Sequence, residues 1–235
     1  MKYIISFFIY ISGLISFLIL ALLVISVTMI CKSYKCDKFI KTFSRLFLKT
    51  FFIRVKVEGL EKIDPDKPYI FTSNHINIFD VFILTGYIPN ITRGVELDRH
   101  FEYPIWGTII KKYGNIPISH SNPRSALKSL DKAKQTFEKG VSIIILPEGH
   151  RTRDGNLRPF MKGPFHLAMR AKADIVPTAM IGLYQIKKVT SLLVQPGKVI
   201  LRIGNVVPYE HYRHLNTSQL RDLIRQKTCE LLEER

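Results

Sequence analysis

The pattern of apolar and polar positions separates an uncharged N-terminal segment from a region in which short apolar runs alternate with amphipathic ones. No charged side chain occurs from Tyr3 to Cys31, and about 20 apolar residues suffice for a helix to cross the hydrocarbon core of a bilayer. The stretch is longer than the apolar region of a signal peptide and lacks a small-residue cleavage site. We therefore predict a membrane segment that is not removed. The sequence leaves open whether it spans the bilayer or enters one leaflet.

The charge just after this segment is strongly positive. Eight cations and one acid, Asp37, lie between Lys32 and Lys56, whereas only Lys2 precedes the apolar stretch. By the positive-inside rule, the rest of the chain is expected on the cytoplasmic side of the membrane.

A helix with two unlike faces is predicted within Lys38–Phe51. Basic residues beside a membrane segment favour contact with anionic headgroups, so we interpret it as an interfacial helix. The alternative is an ordinary amphipathic helix packed on the domain. The apolar face consists of Phe39, Phe43, Leu46, Phe47 and Thr50, and the basic face of Lys38, Lys41, Arg45 and Lys49.

The rest of the chain is predicted to form one α/β domain, residues 52–235, after an anchor made of residues 1–51. The central strands are continuous apolar runs, which suits a mixed sheet that helices cover on both faces. The predicted strands are Phe52–Val57, Tyr69–Thr72, Val141–Leu146, Ile175–Ile181 and Val199–Ile203. The predicted helices are Ile78–Gly86, Pro123–Lys139 and Thr217–Glu234, with Gly140 ending the second and Thr217 or Ser218 capping the third.

The composition favours a partner that carries negative charge. The formal net charge of +16 in 235 residues suits nucleic acid, a phospholipid surface or a phosphorylated small molecule. Nucleic acid is not expected, because much of the excess lies beside the membrane segment and no recognition helix or aromatic RNA-binding motif is present. Cys31, Cys36 and Cys229 form no metal pattern or disulfide framework, and no HxxxH spacing occurs, so no metal site is predicted.

The first candidate site is the stretch SNHINIFD, Ser73 to Asp80, which follows a predicted strand. On a continuous helix, His75 and Asp80 would be about 500° apart and would not share a face. If the strand ends near Ser73 and Asn77 caps the next helix, the loop can return His75 over the first turn. The carboxylate can then hold one imidazole nitrogen and leave the other as a base. Alternatively, Asp80 is an ordinary acid at a helix N-terminus.

The second candidate site follows the predicted strand Val141–Leu146. Guanidinium groups and backbone N–H groups in a glycine-containing loop can bind a phosphate. A solvated basic loop is the alternative. The loop begins with Glu148 and Gly149, has Asp154 as its one further acid, and carries the cations Arg151, Arg153, Arg158 and Lys162.

These stretches together carry a family resemblance. The chain contains NHINIFD (Asn74–Asp80), LPEGHRT (Leu146–Thr152), PFMKGPFHLA (Pro159–Ala168) and IVPTAM (Ile175–Met180). In this order and spacing they resemble the glycerolipid acyltransferases, specifically the bacterial 1-acyl-sn-glycerol-3-phosphate acyltransferases. The match covers about residues 52–205, and the basic helical anchor before it is also similar to that family. The resemblance implies a mixed sheet flanked by helices.

The resemblance also implies roles for individual residues. His75 would be the general base that removes the proton of the acceptor hydroxyl, and Asp80 would orient it. The oxygen would then attack the thioester of the donor without a covalent acyl-enzyme. Arg151 would bind the acceptor phosphate. Further substrate-binding positions implied by the family motifs are Asn74, Glu148, Gly149, Lys162, Val176 and Pro177.

One block departs from the family pattern. Where the family has a glycine, an aromatic residue and an arginine in GxxFIxR, this chain reads GNIPISH from Gly114, with Pro117 at the aromatic position and His120 at the arginine position. Arg124 is the nearest guanidinium that could substitute. His150 replaces the commoner threonine of EGTR, which we interpret as a tolerated variant.

The activity implied by the resemblance is an O-acyltransferase reaction at the sn-2 hydroxyl of 1-acyl-sn-glycerol-3-phosphate, which gives phosphatidic acid in phospholipid synthesis. It implies no cofactor apart from the donor substrate. The implied partners are a phospholipid membrane, the lysophospholipid acceptor, and acyl-CoA or acyl carrier protein. The expected location is a bacterial inner membrane, with the catalytic domain on the cytoplasmic side. The alternatives are acylation of a lyso-ornithine lipid or of glycerol phosphate, and a catalytically silent lipid-binding module.

Overall fold

The computed structural model describes residues 2–30, 36–119 and 123–233, which contain seven strands and nine α-helices. The strands are β1 (Ile53–Glu58), β2 (Ile70–Thr72), β3 (Thr92–Leu97), β4 (Ile116–Ile118), β5 (Ser142–Ile145), β6 (Ile175–Ile181) and β7 (Gly197–Ile203). The helices are α1 (Lys2–Ile30), α2 (Asp37–Thr50), α3 (Asp80–Tyr87), α4 (Trp106–Tyr113), α5 (Pro123–Glu138), α6 (Gly163–Ala171), α7 (Leu183–Ile186), α8 (Tyr209–Tyr212) and α9 (Thr217–Glu233).

The strands form one mixed sheet in the order β1-β7-β6-β2-β5-β3-β4. Strands β6 and β7 are antiparallel, and every other neighbouring pair is parallel. The central strands β2, β5 and β6 are almost entirely buried, as expected where a sheet is covered on both faces. The predicted class, a mixed sheet flanked by helices with an apolar N-terminal helix, is confirmed.

Six elements are not predicted by the sequence pattern: β3, α4, β4, α6, α7 and α8. Strand β3 is hidden because it contains Arg93, which is only 3% exposed. The Arg93 guanidinium donates to Asp37 Oδ1 at 2.7 Å and lies 4.1 Å from the ring centre of Tyr113. A buried charge requires such a partner. Because this partner lies 56 positions away in the chain, the pattern around Arg93 does not indicate a buried strand.

Helix α3 begins at Asp80 and not at Ile78. The sequence predicts Asn77 as its N-cap, but Phe79 occupies that position. The side-chain oxygen of Asn77 instead accepts the Phe79 N–H at 2.9 Å, which is the local turn that asparagine favours. The turn bends the chain between the end of β2 and the start of α3.

The ends of two other helices follow known capping rules. Gly140 ends α5 with a φ of 82°, as predicted, because glycine adopts the left-handed conformation without strain. The predicted cap of α9, Thr217 or Ser218, is wrong. Asn216 Oδ1 accepts the N–H groups of Ser218 and Gln219, and Gln219 Oε1 accepts the N–H of Asn216, which is a reciprocal cap.

Helix α2 packs against α3, the helix that carries Asp80. The rings of Phe43 and Phe47 lie 6.2 and 4.3 Å from the ring of Phe82. Phe51, just after α2, lies 4.8 Å from the ring of Phe79. These aromatic contacts make α2 a part of the domain core. They support the alternative that the sequence left open, an amphipathic helix packed on the domain.

Two cations of the predicted basic face of α2 are also directed at the domain. Lys41 donates to the carbonyl oxygens of Ile88 and Asn90 at 2.6 and 2.7 Å, and Arg45 donates to that of Gly86 at 2.6 Å. The prediction that this face meets lipid headgroups is therefore wrong for Lys41, whose side chain is 12% exposed, whereas Arg45 is exposed. The other two cations of the face are exposed: Lys38 and Lys49.

Helix α1 lies along the domain over much of its length. Within the described residues it is the one helix long and apolar enough to cross a membrane, over Tyr3–Met29. Its contacts begin at Ser6, which bonds Val194, and continue to Phe17, whose ring lies 5.9 Å from that of Phe47. The buried stripe consists of Ser6, Ile9, Gly13, Ala21 and Val24. The exposed apolar side chains include Tyr3, Ile4, Phe7, Phe8, Leu14, Ile15, Leu18, Ile19, Leu22, Leu23 and Met29.

Candidate active site

The loop that carries His75 leaves the sheet at the carboxyl end of β2. Both ends of the Asn74 amide bind the backbone of Met180 on β6: Nδ2 donates to the carbonyl at 3.0 Å and Oδ1 accepts the N–H at 2.8 Å. The side chain thus extends the β2–β6 ladder by one step. These two bonds give Asn74 a positioning role under the loop.

His75 and Asp80 form a hydrogen-bonded pair. The distance from His75 Nδ1 to Asp80 Oδ2 is 2.6 Å. Because a carboxylate only accepts, Nδ1 carries the proton and Nε2 is left with its lone pair. The Asp80 side chain is fully buried, whereas that of His75 is 18% exposed. The predicted return of His75 over the first turn of α3 is therefore the geometry observed.

The Asp80 carboxylate is itself fixed by the backbone. Oδ2 accepts the N–H of Ile76 at 2.7 Å, and Oδ1 accepts that of Asn77 at 3.0 Å. These are charge-assisted bonds from two residues that precede α3. The acid therefore cannot rotate without releasing the loop, and the imidazole is oriented by a rigid partner.

Glu148 joins the two candidate sites. It is 5% exposed; Oε1 accepts the N–H of His75 at 2.6 Å, and Oε2 accepts that of Arg158 at 2.9 Å. Burial raises the pKa of Glu148 to about 7, although the hydrogen bonds from the His75 and Arg158 backbones act in the opposite direction. Both carboxylate oxygens are engaged by backbone, so Glu148 clamps two loops together.

Replacing Glu148 with glutamine is expected to flatten the pH dependence of stability. The folded chain binds the proton more tightly than the unfolded chain, so stability falls as the pH rises from about 4.5 to about 7. Over that window, the wild type should lose up to about 3 kcal/mol of unfolding free energy relative to E148Q. Urea unfolding in detergent at a series of pH values measures this, with E61Q at an exposed position as the control for the substitution. Parallel curves for wild type and E148Q would contradict the prediction.

The arginine loop lies directly against the histidine loop. The Thr152 N–H donates to the carbonyl of His75 at 2.8 Å, next to the exposed side chain of Arg151. The loop is held from behind by Arg225 of α9, which donates to the carbonyls of Leu157 and Arg158 at 3.1 and 3.3 Å. The structure therefore brings together the two stretches that the sequence predicts to meet. Sequence analysis gave no role to Thr152, although it ends the stretch LPEGHRT, and it missed Arg225, which belongs to no pattern that could have indicated these contacts.

The turn after Arg151 is ordered by Asp154. Its carboxylate accepts the Thr152 hydroxyl at 2.9 Å and the backbone N–H of Asn156 at 3.0 Å. The hydrogen bonds from Asn156 and Thr152 lower the pKa of Asp154 to about 2. Gly149 forms the start of the loop with a φ of 70°, which explains a glycine at this position. Asp154, the one acid of the loop after Glu148, thus shapes the turn and does not neutralise the charge of Arg151.

A further segment borders the site and has no signal in the sequence. Asn77 Nδ2 donates to the carbonyl of Lys187 at 2.7 Å, just after α7. The pKa of Lys187 is lowered, first by burial and second by the positive charge of Arg151. The segment after α7 therefore adds a cation to the side of the site where Arg151 lies.

The remaining predicted residues are on β6 and at the start of α6. Val176 and Pro177 are buried on β6, opposite Phe71 and Thr72 of β2, where they support the strand that leads to His75. Lys162 is exposed at the start of α6, and its charge acts on Asp222 of α9.

The block that departs from the family pattern lies on the edge strand. Pro117 is the central residue of β4, a position that tolerates proline because an edge strand has one unpaired side. Strand β4 is parallel to β3 and so ends at the same edge of the sheet as β2. At about 4.8 Å per strand, it lies roughly 14 Å from β2. His120 lies outside the described residues, as does the side chain of Arg124.

No group of three or more histidine, cysteine, aspartate or glutamate side chains that could hold a metal ion occurs within residues 2–30, 36–119 and 123–233.

The chain belongs to the acyltransferase family. The family profile described as Acyltransferase matches residues 54–181, more than half of the chain, and this range includes the His75–Asp80 pair and the arginine loop. The resemblance found in the sequence is thus confirmed at the level of the family.

The similar proteins agree in their names. A 1-acyl-sn-glycerol-3-phosphate acyltransferase of Limnanthes douglasii is 34% identical over 151 residues, 64% of this chain and 53% of that protein. One of Pseudomonas aeruginosa is 34% identical over 129 residues, 54% of this chain and 49% of that protein. The chain thus spans about half the length of these curated relatives. The crystal structure of PlsC, the 1-acyl-sn-glycerophosphate acyltransferase of Thermotoga maritima, shares the fold with a TM-score of 0.83 at 20% identity, over 98% of this chain and 94% of that one.

Proposed function

We propose that this protein transfers a fatty acyl group from a thioester donor to the sn-2 hydroxyl of 1-acyl-sn-glycerol-3-phosphate. The observation that carries the proposal is the 2.6 Å bond between His75 and the buried Asp80, in a loop that also contacts the arginine loop. The names of the relatives support the same substrate. The product is phosphatidic acid.

The reaction needs one base and no covalent enzyme intermediate. Nε2 of His75 takes the proton of the acceptor hydroxyl while Asp80 holds the imidazolium that forms. The acceptor oxygen bonds to the thioester carbonyl carbon, the carbon–sulfur bond breaks, and the departing thiolate receives the proton. Each turnover thus returns His75 to its starting state.

Arg151 is proposed to bind the acceptor phosphate. Its side chain is exposed beside the His75 loop, and Lys187 adds a second positive charge nearby. A guanidinium can donate two parallel hydrogen bonds to the oxygens of a phosphate. This arrangement leaves the neutral glycerol end of the lysolipid next to Nε2. The donor is acyl-CoA or acyl carrier protein, both of which carry phosphate that a positive surface attracts.

The protein is proposed to work at a membrane, where α1 provides the anchor. Extracting a chain of about sixteen carbons into water would cost on the order of 12 kcal/mol, which an interfacial enzyme avoids. Ser6 and Phe17 are both bound to the domain, and the outer face of α1 between and beyond them is apolar. We infer that α1 lies in the plane of one leaflet with the domain against it. The protein is then expected to sediment with phospholipid vesicles.

A panel of acceptors, each supplied with the same labelled acyl group, tests which acceptor is the substrate. Lysophosphatidic acid should be acylated at least tenfold faster than a lyso-ornithine lipid or lysophosphatidylcholine, because the cation beside His75 rewards a phosphate monoester. It should exceed glycerol 3-phosphate by a similar factor, because that acceptor has no acyl chain to hold it at the membrane. The panel is run with acyl-CoA and with acyl carrier protein. Product formed solely from an acceptor without phosphate would contradict the proposal, and no product from any acceptor would favour a silent lipid-binding module.

A second acceptor is favoured by one observation. Pro117 and His120 stand in the sequence where the family block GxxFIxR has an aromatic residue and an arginine. This chain therefore lacks one guanidinium that proteins with the usual block offer to a phosphate. A lyso-ornithine lipid, which has no phosphate, is the acceptor that this difference suits best. The same panel distinguishes it.

A further inference from the structure

Two large apolar side chains outside α1 are exposed on the same side of the domain as the helix. Leu192 is 81% exposed, and Phe52 is 61% exposed. Leu192 lies in the segment between α7 and β7, residues 187–196, which we call the rim loop. Phe52 links α2 to β1. Single exposed apolar residues are common on protein surfaces, and what distinguishes these two is the way the backbone holds them.

The Phe52 backbone is strained. Its φ of 56° lies in the left-handed region, which is unfavourable for a bulky residue and is normally occupied by glycine or asparagine. Burial of the ring does not offset this strain, because most of the side chain is exposed. A strained residue that contributes little to the core is an indication of function at the surface.

The rim loop presents Leu192 from a fixed turn. The Lys187 ammonium donates to the carbonyl oxygens of Lys188 and Ser191, and the hydroxyl of Ser191 accepts the Leu193 N–H at 3.1 Å. These bonds fix the backbone on both sides of the exposed leucine. Leu192 is therefore held out by the structure and does not lie in a disordered tip.

Both residues border the apolar helix α1. The Ser6 hydroxyl donates to the carbonyl of Val194 at 3.0 Å and accepts its N–H at 3.1 Å, so α1 contacts the rim loop directly. The Gly197 N–H, at the end of the rim loop, donates to the Phe52 carbonyl at 3.3 Å. Leu192 and Phe52 therefore continue the exposed apolar surface of α1 onto the domain. Exposed cations surround them: Lys49, Arg54, Lys188 and Lys198.

We propose that the rim loop and Phe52 form a second membrane contact, in which Leu192 and the Phe52 ring enter the headgroup boundary of an anionic phospholipid bilayer. The inference rests on the proposed attachment of α1 to the membrane. Apolar side chains ringed by lysine and arginine match such a surface in both polarity and charge. Because Asn77 bonds the carbonyl of Lys187, this contact holds the rim of the active site at the level of the lipid headgroups.

Tryptophan substitution tests the depth of the contact. L192W and L127W are compared in vesicles that contain phosphatidylglycerol and brominated phospholipid. Leu127 is the matched control, because it is a 53% exposed leucine on α5, which packs towards the opposite edge of the sheet. We expect the added tryptophan of L192W to be quenched by the bromine, with a blue shift, and that of L127W to be unaffected.

Substitution of Phe52 tests the strained residue. F52G and F52N remove the ring and suit the left-handed backbone, so neither should lower the melting temperature. Each should weaken binding to anionic vesicles roughly fivefold to tenfold, the effect of losing one partly inserted ring. L127N provides the control for vesicle binding, because glycine at position 127 would disturb the helix.

The outcomes separate this inference from the proposed function. Wild type that fails to sediment with vesicles would overturn both the attachment through α1 and the second contact. Sedimentation of wild type together with an unquenched L192W, or unchanged binding of F52G and F52N, would overturn the second contact alone. An L192W emission shift in detergent that grows with protein concentration would assign this surface to a second copy of the chain and would also overturn it.

Discussion

Replacing His75 with asparagine is expected to reduce the turnover number for acyl transfer by about 10²–10⁴-fold, the usual contribution of a positioned general base. The asparagine Nδ2 occupies the position of the imidazole Nδ1 and can still donate to Asp80, whereas nothing remains to accept the proton of the acceptor hydroxyl. The Michaelis constant for lysophosphatidic acid should change little. Arg151 is retained, and so is the backbone carbonyl of residue 75, which accepts the Thr152 N–H and holds the arginine loop. Initial rates with vesicle-embedded acceptor measure both quantities.

A second variant separates catalysis from stability. H75A loses the base and also leaves Asp80 without its side-chain donor, so it should be as inactive as H75N and less stable by about 1–3 kcal/mol. H211A, at an exposed histidine on α8, controls for the loss of an imidazole elsewhere. Turnover in H75N equal to that of the wild type would exclude His75 as the base.

Replacing Asp80 with asparagine is expected to lower turnover by about 10³–10⁴-fold, because a neutral amide favours the wrong imidazole tautomer. The amide can donate to Nδ1 of His75, which moves the proton to Nε2 and removes the lone pair that acts as the base. The substitution also places an N–H₂ group near the backbone donors of Ile76 and Asn77. We therefore expect a loss of about 1–3 kcal/mol in unfolding free energy as well.

The two effects of this substitution are measured independently. Steady-state kinetics give the loss of turnover, and urea unfolding in detergent gives the loss of stability. D66N, at an exposed aspartate, is the control. A variant D80N that retained wild-type turnover would show that Asp80 serves as a helix N-terminal acid only, the alternative that the sequence left open.

Much of the active site could be predicted because its parts lie at the ends of apolar strands. Strand β6 has the predicted limits, and β2 and β5 agree with the prediction within one residue at each end. The parallel strands β2 and β5 end at the same edge of the sheet, which brings the stretches around His75 and Arg151 together. Local burial patterns therefore located both halves of the site, although nothing in them specified the contacts between the halves.

The roles of Asn74 and Glu148 could not be predicted in the same way. Their partners lie far away in the chain, 106 positions for Asn74 and Met180 and 73 positions for Glu148 and His75. A family motif indicates that such residues matter, but the motif does not distinguish a residue that contacts substrate from one that supports the loop. The hydrogen bonds in the structure show the supporting role: Glu148 binds the backbone of His75 and Arg158, and Asn74 binds the backbone of Met180.

The sequence by itself determined the class of fold, the apolar N-terminal helix and the pairing of His75 with Asp80, because burial periodicity and a short loop act between neighbouring residues. Only the tertiary structure decided that α2 packs on α3, that Arg93 is buried against Asp37, and that α1 and the rim loop form one apolar surface. The reason is that a residue's burial and charge pairing depend on which strands and helices become neighbours. That order is a property of the whole chain and is not encoded in any one segment.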